Sequence, residues 1–89
     1  MPMKSLLFAD KVRAVVHAIP KGKTMTYGDV AAKAGHPGAA RAVGGIMKLN
    51  YDPTIPCHRV IKRDGTVGEY NRGGPGAKRT LLKKEGAIL

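Results

Sequence analysis

The sequence predicts a mainly α-helical fold, a winged helix-turn-helix domain with a short β ribbon, and three observations carry that expectation. Apolar residues Phe8, Val12, Val15, Val16 and Ile19 recur at three-to-four spacing, the period of one helix face. Two short helical stretches then flank Gly35-His36-Pro37, in the manner of a helix-turn-helix. Beyond residue 50 the helical period gives way to short apolar runs around Arg63-Asp64-Gly65, a turn sequence.

The first helix runs from Ser5 to the Ile19-Pro20-Lys21-Gly22 stop, because the residue before a proline avoids the helical region. Thr26 is an N-cap with Asp29 three residues on, a variant of the capping box. That second helix covers residues 27–34 and stops at Gly35, a natural residue just past a helix end. The third spans about 38–49, with Pro37 early in it, and takes the place of a recognition helix. Residues 50–56 hold Pro53 and Pro56 and are irregular. A strand at 58–61, the turn at 63–65 and a return strand at 66–67 make the expected ribbon, or wing. Arg72-Gly73-Gly74-Pro75-Gly76 is a flexible loop, and the last helix, 77–85, turns Leu81 and Leu82 inward before Gly86.

One domain, residues 1–89, is all that this length accommodates. Its core is thin and aliphatic, with three Tyr, one Phe and no Trp. Twelve Gly and six Pro exclude a plain helical bundle. Sixteen Lys and Arg against six Asp and Glu leave a net charge of +10. An excess of that size repels itself, and a polyanionic partner explains it better than a merely solvated basic face. Eight of the basic residues fall between Arg59 and Lys84. The N-terminal apolar run is too short for a signal peptide, and no stretch approaches a membrane span. The expected setting is cytoplasmic, on the nucleoid if prokaryotic, with no membrane partner. A single cysteine, Cys57, excludes an internal disulfide or a Cys-rich zinc site. Neighbouring Cys57 and His58 are poorly placed to share one ion, so no metal is expected.

The third helix is an odd reader of base edges. It offers Ala39, Ala40, Ala42, Gly44 and Gly45, with Arg41 as the one long polar side chain near its start. Major-groove readout needs several Arg, Asn or Gln side chains. Small residues suit close, sequence-tolerant approach to DNA through the minor groove, or simply tight helix packing. Cys57 also has two readings. A lone cysteine is most often a small buried hydrophobe. Here Pro56 fixes the backbone before it, while His58 and Arg59 bring positive potential that would lower a thiol pKa.

Pro56-Cys57-His58-Arg59-Val60 is a highly specific signature, and it does not stand alone. With Ile19-Pro20-Lys21-Gly22, Thr26-Tyr27-Gly28, Ala40-Arg41-Ala42-Val43-Gly44, Asp64-Gly65, Gly68, Tyr70, Lys78, Leu81-Leu82 and Glu85-Gly86, the chain resembles one family from Phe8 to Gly86. The resemblance is to the DNA-binding, active-site domain of the O6-alkylguanine-DNA alkyltransferases, or methylated-DNA–protein-cysteine methyltransferases.

That resemblance implies a monomer acting without a cofactor on double-stranded DNA containing O6-alkylguanine. Cys57 is then the nucleophile, His58 its base through a water, and Glu85 the group that orients His58. Asn50 braces the active-site loop. Tyr27 crowds the target phosphate, and Arg41 fills the place of the flipped base, with Ala40 and Gly44 against the DNA. Tyr70 bonds the flipped guanine, and the segment of Cys57, Arg59 and Val60 reads its edge. Flipping is needed because O6 is out of a thiol's reach inside the duplex. The chain also departs from the family pattern. The family's N-terminal domain is expected to be absent, Asn50-Tyr51-Asp52-Pro53 replaces Asn-Pro in a segment one residue short, and Asn71–Gly76 is one residue longer with an extra Arg. The last two changes border the lesion pocket. Alternatives are an alkyltransferase-like protein that binds lesions without transfer, a class that typically lacks this cysteine, and a plain winged-helix DNA-binding protein.

Overall fold

In a computed structural model, residues 7–52, 54–68, 70 and 72–87 are described. The expected onset at Ser5, and the positions of Pro53 and Asn71, lie outside them. Helix α1, Phe8–His17, places Val12 and Val16 one turn apart, both fully buried. The chain then turns at Gly22, whose φ is +87°. A Cβ there would meet the Glu85 carbonyl oxygen at 3.0 Å, so this glycine lets two distant segments touch.

Strand β1, Met25–Thr26, leads into α2, Tyr27–Lys33. The capping box forms as its residues predict. The Asp29 amide donates to Thr26 Oγ1 at 3.0 Å, and the Thr26 amide donates to Asp29 Oδ2 at 3.3 Å. Gly35 ends α2 with φ +92°. Its amide and that of His36 donate to the carbonyls of Ala32 and Ala31, a Schellman closure. Helix α3, Ala40–Lys48, follows and packs on α2, with Val43 and Met47 buried and Arg41 exposed. Pro37 lies in the turn between the helices rather than inside the third one.

The ribbon is not the hairpin that the sequence suggests. Cys57–Arg59 is a single turn of 3-10 helix, and strand β2 is only Val60–Ile61. It pairs in parallel with β1, Met25 against Val60 and Thr26 against Ile61. The expected return strand fails for a local reason. The amide and hydroxyl of Thr66 are both held by Asp64 Oδ1, at 3.0 and 2.7 Å, so the amide is lost to a ladder. Gly68, at φ +73°, then redirects the chain after Val67 is buried. The described residues are therefore mainly helical, with one short parallel strand pair and no antiparallel wing.

Helix α4, Gly74–Lys84, begins three residues before the expected start and absorbs part of the supposed loop. Pro75 suits a first turn, where no amide hydrogen is needed and φ is already set. A second Schellman closure at Gly86 ends it. Leu82 is fully buried with Ile61 and Val67, whereas Leu81 is only half-buried. The main core joins α1, α2, α3 and the Cys57 turn through Val12, Val16, Val30, Val43, Met47 and Val60. Cys57 thus sits on the floor that the helices share, with α4 against its back.

Candidate active site

Pro56 and the turn after it fix the cysteine. The Cys57 amide donates to the Ile55 carbonyl at 2.8 Å and the Arg59 amide to the Pro56 carbonyl at 2.9 Å. The thiol is 5% exposed, and Asn50, itself buried, donates from Nδ2 to Cys57 Sγ at 2.8 Å. Asn50 therefore does more than brace a loop: it holds the sulfur directly. A donor aimed at sulfur favours thiolate over thiol.

Above Cys57 lies a cavity of about 490 Å³, walled by Tyr27, Tyr70, Met47, Lys48, Lys62 and Lys78 among others. That size suits a single small ligand. A second cleft runs from Arg41, Ala40 and Arg63 toward it. Tyr27, Gly44 and Lys62 line both spaces, so the face of α3 leads to the cysteine. Added methyl groups at Gly44 or Gly45 would meet nothing within 4 Å. The protein's own packing does not require these glycines, which disposes of the tight-packing reading for both.

Behind the cysteine stands a compact charged group. His58 Nε2 lies 2.8 Å from Glu85 Oε2. Arg59 grips the same carboxylate with two bonds, Nε to Oε1 at 2.9 Å and Nη2 to Oε2 at 2.8 Å. Its Nη1 donates to the Ile19 carbonyl at 2.8 Å, which ties the end of α1 to the end of α4. Arg59 first, then His58, hold the Glu85 carboxyl down at about 2. An ionised carboxylate can only accept, so neutral His58 carries its proton on Nε2 and leaves Nδ1 as the basic nitrogen.

Two expectations need correction here. Arg59 does not line the pocket; its guanidinium is committed to Glu85 and Ile19, and its role is to join elements. The Val60 side chain is fully buried in the core from β2, which leaves edge reading at that position to its backbone, as expected of it. Nor does the local sequence set the thiol's acidity. Burial pushes Cys57 up, and what draws it back is Asn50, then Arg72, the turn's own backbone at Cys57 and Lys78, not the nearby Arg59.

Lys78 has no role in the sequence reading beyond its place in a motif. It is 1% exposed, one turn before Leu82, and lines the cavity. That four-residue spacing from Leu82 was the available signal. Its Nζ donates to the Tyr27 hydroxyl at 3.3 Å and sits 5.5 Å from that ring's centre. Burial lowers Lys78 to about 8. Tyr70 stands across the cavity, edge-on to His58 with ring centres 6.4 Å apart. Among the described residues, no cluster of three His, Cys, Asp or Glu side chains is placed to hold a metal.

The Glu85 hub has an acid signature. A carboxyl held near 2 stabilises the fold fully above its ordinary value of 4.5, and that contribution is lost as pH falls through about 2. In urea titrations, Glu85→Gln should unfold earlier than the wild type at pH 6. The gap between the two midpoints should close as pH drops from about 4.5 toward about 2. A gap that is constant with pH would assign the loss to packing instead.

Comparison with known proteins resolves the family. Residues 7–87 match the family model described as 6-O-methylguanine DNA methyltransferase, DNA binding domain. The chain belongs to this family. It is 53% identical over 66 residues to the methylated-DNA–protein-cysteine methyltransferase of Mus musculus, covering 73% of this chain and 31% of the mouse protein. The OGT of Mycobacterium tuberculosis in complex with DNA superposes with a TM-score of 0.83 at 40% identity, over 94% of this chain and 51% of that one. The S. pombe Atl1 complex with damaged DNA containing O6-carboxymethylguanine gives 0.78 at 38% identity, over 94% of this chain and 80% of that one. The chain spans about half or less of the length of the curated relatives it matches. No described helix is long and apolar enough to cross a membrane.

Proposed function

We propose that this chain is a single-use DNA-repair alkyltransferase: it engages duplex DNA through the minor groove, swings O6-alkylguanine out of the stack, and moves the alkyl group irreversibly to Cys57. One observation carries the reading. The only cysteine lies at the foot of a cavity of about 490 Å³, with Asn50 on its sulfur and its sequence neighbour His58 held by Glu85.

The chemistry follows from that placement. Burial keeps the resting sulfur protonated, so attack needs a base, and Nδ1 of His58 accepts the proton through a water. Glu85 stabilises the imidazolium that results. The thiolate attacks the alkyl carbon, a C–S bond forms, the C–O6 bond breaks, and its electron pair leaves on guanine, which takes up a proton. Tyr70 bonds the extruded base and Tyr27 crowds its phosphate, while Arg41 takes the base's place in the stack. A thioether is not readily cleaved, so each molecule acts once, as a monomer and without a cofactor.

Incubation with duplex containing O6-methylguanine, followed by intact-mass measurement, tests the proposal. One methyl group gained on Cys57 supports it. Likeness to Atl1 favours a second reading, lesion binding without transfer, and a lesion-selective shift with no mass gain would establish that one. Indifference to the lesion would leave a plain DNA-binding domain.

The clefts also set a salt dependence. Arg41, Lys48, Lys62 and Arg63 lie along them. With Arg41 in the stack, the other three neutralise phosphates and give a slope of about −2.7 in log K against log salt, or roughly a fortyfold loss between about 50 and 200 mM. Fluorescence anisotropy on undamaged duplexes should show that slope with little dependence on sequence. A flat salt response or a strong consensus site would contradict phosphate-led binding.

A further inference from the structure

One nucleophile of the cavity has no part in the mechanism above. Lys78 is 1% exposed on α4, and it lines the cavity together with Cys57. Its Nζ lies 3.3 Å from the Tyr27 hydroxyl and 5.5 Å from the centre of that ring. Tyr27 belongs to both spaces: it walls the cavity over Cys57 and also the cleft that runs past Arg41. The amine is therefore held at the seam where an extruded nucleotide enters, and the sulfur at the foot of the same space. The sulfur meets the base edge, the part of a nucleotide farthest from its backbone. The amine is placed for the sugar.

An amine at that place has one reaction that needs no further reagent. A deoxyribose that has lost its base opens to an aldehyde at C1′, and an amine condenses with an aldehyde to an imine. Such a nucleotide also costs least to extrude, because it has no base pair to give up. The volume that a base would fill is then open to the sugar. We propose that Lys78 captures abasic nucleotides as a reversible imine between Nζ and C1′, a second activity of this cavity directed at aldehydes rather than alkyl groups. The free amine adds to C1′, and one of its protons moves to the former carbonyl oxygen. That oxygen leaves as water with a second proton from the Tyr27 hydroxyl, which solvent restores, and a protonated C=N bond remains. Water adding back to this bond returns the lysine and the aldehyde, so the cycle needs no oxidant or reductant. Burial lowers Lys78 to about 8, and part of the population therefore carries the free amine near neutral pH.

The inference rests on extrusion of a nucleotide into the cavity, as proposed above, but not on transfer to sulfur. Wild-type protein would be incubated with a duplex holding one abasic site and sodium borohydride, which reduces the imine to a stable secondary amine. Intact mass should show a covalent protein–DNA complex, and peptide mapping should place the link on Lys78. A tetrahydrofuran analogue, which has no aldehyde, should give no complex. The yield should fall at least about tenfold in Lys78→Met, which keeps the length of the side chain and removes the amine. Mapping on the wild type decides the matter even if that variant fails to fold. A link on Lys48 or Lys62 overturns the proposal, because both are exposed amines that any aldehyde meets. An undiminished yield in a folded Lys78→Met overturns it too. Methyl transfer from O6-methylguanine duplex without any complex at the abasic site would overturn this inference alone. A complex on Lys78 without methyl transfer would support it and retire the transfer reading, and the absence of both would overturn both.

Discussion

Cys57→Ser should abolish alkyl transfer while leaving affinity for O6-methylguanine duplex close to that of the wild type. A serine hydroxyl is a far poorer nucleophile than a thiolate, and its pKa is beyond the reach of an imidazole base. The replacement is nearly isosteric, and the Asn50 amide that donates to Sγ can donate to Oγ, so the cavity floor is kept. Intact mass reads the transfer, and anisotropy reads the binding. The wild type should gain at most one alkyl group per molecule, however large the excess of lesion. Transfer by Cys57→Ser would place the nucleophile elsewhere, although Cys57 is the only cysteine of the chain. Repeated turnover by the wild type would mean that the sulfur is regenerated, and single use would be wrong.

Arg41→Ala should reduce transfer from duplex DNA by roughly 30- to 150-fold, equivalent to about 2–3 kcal/mol of unstacking that the guanidinium no longer offsets. Transfer from free O6-methylguanine base should hardly change, because no stack has to be opened. The position of Arg41 makes the contrast sharp. It is exposed on the first turn of α3, in the cleft that shares Tyr27, Gly44 and Lys62 with the cysteine cavity, and it does not line that cavity itself. Equal losses on duplex and free base would remove Arg41 from base extrusion and point to a distorted pocket.

Residue chemistry alone carried much of this molecule. Thr26 with Asp29, Gly35 and Gly86 mark helix ends because capping and left-handed closure are local, and each forms where its residues predict. The family signature led to Cys57, His58, Glu85 and Asn50, and the fold brings all four around one turn. What sequence order could not express was partnership between distant segments. β2 pairs with β1 across more than thirty residues, in parallel, while Asp64 consumes the Thr66 amide that a hairpin ladder would need. Arg59 stands two residues from Cys57 yet spends its charge on Glu85 and Ile19. Arg72 and Lys78, fifteen and twenty-one positions away, supply the positive potential at the sulfur instead. Local order determines caps, turns and which residue can react. Only the tertiary structure decided which charges reach the thiol, because that depends on distance through space and on whether another partner has already claimed them.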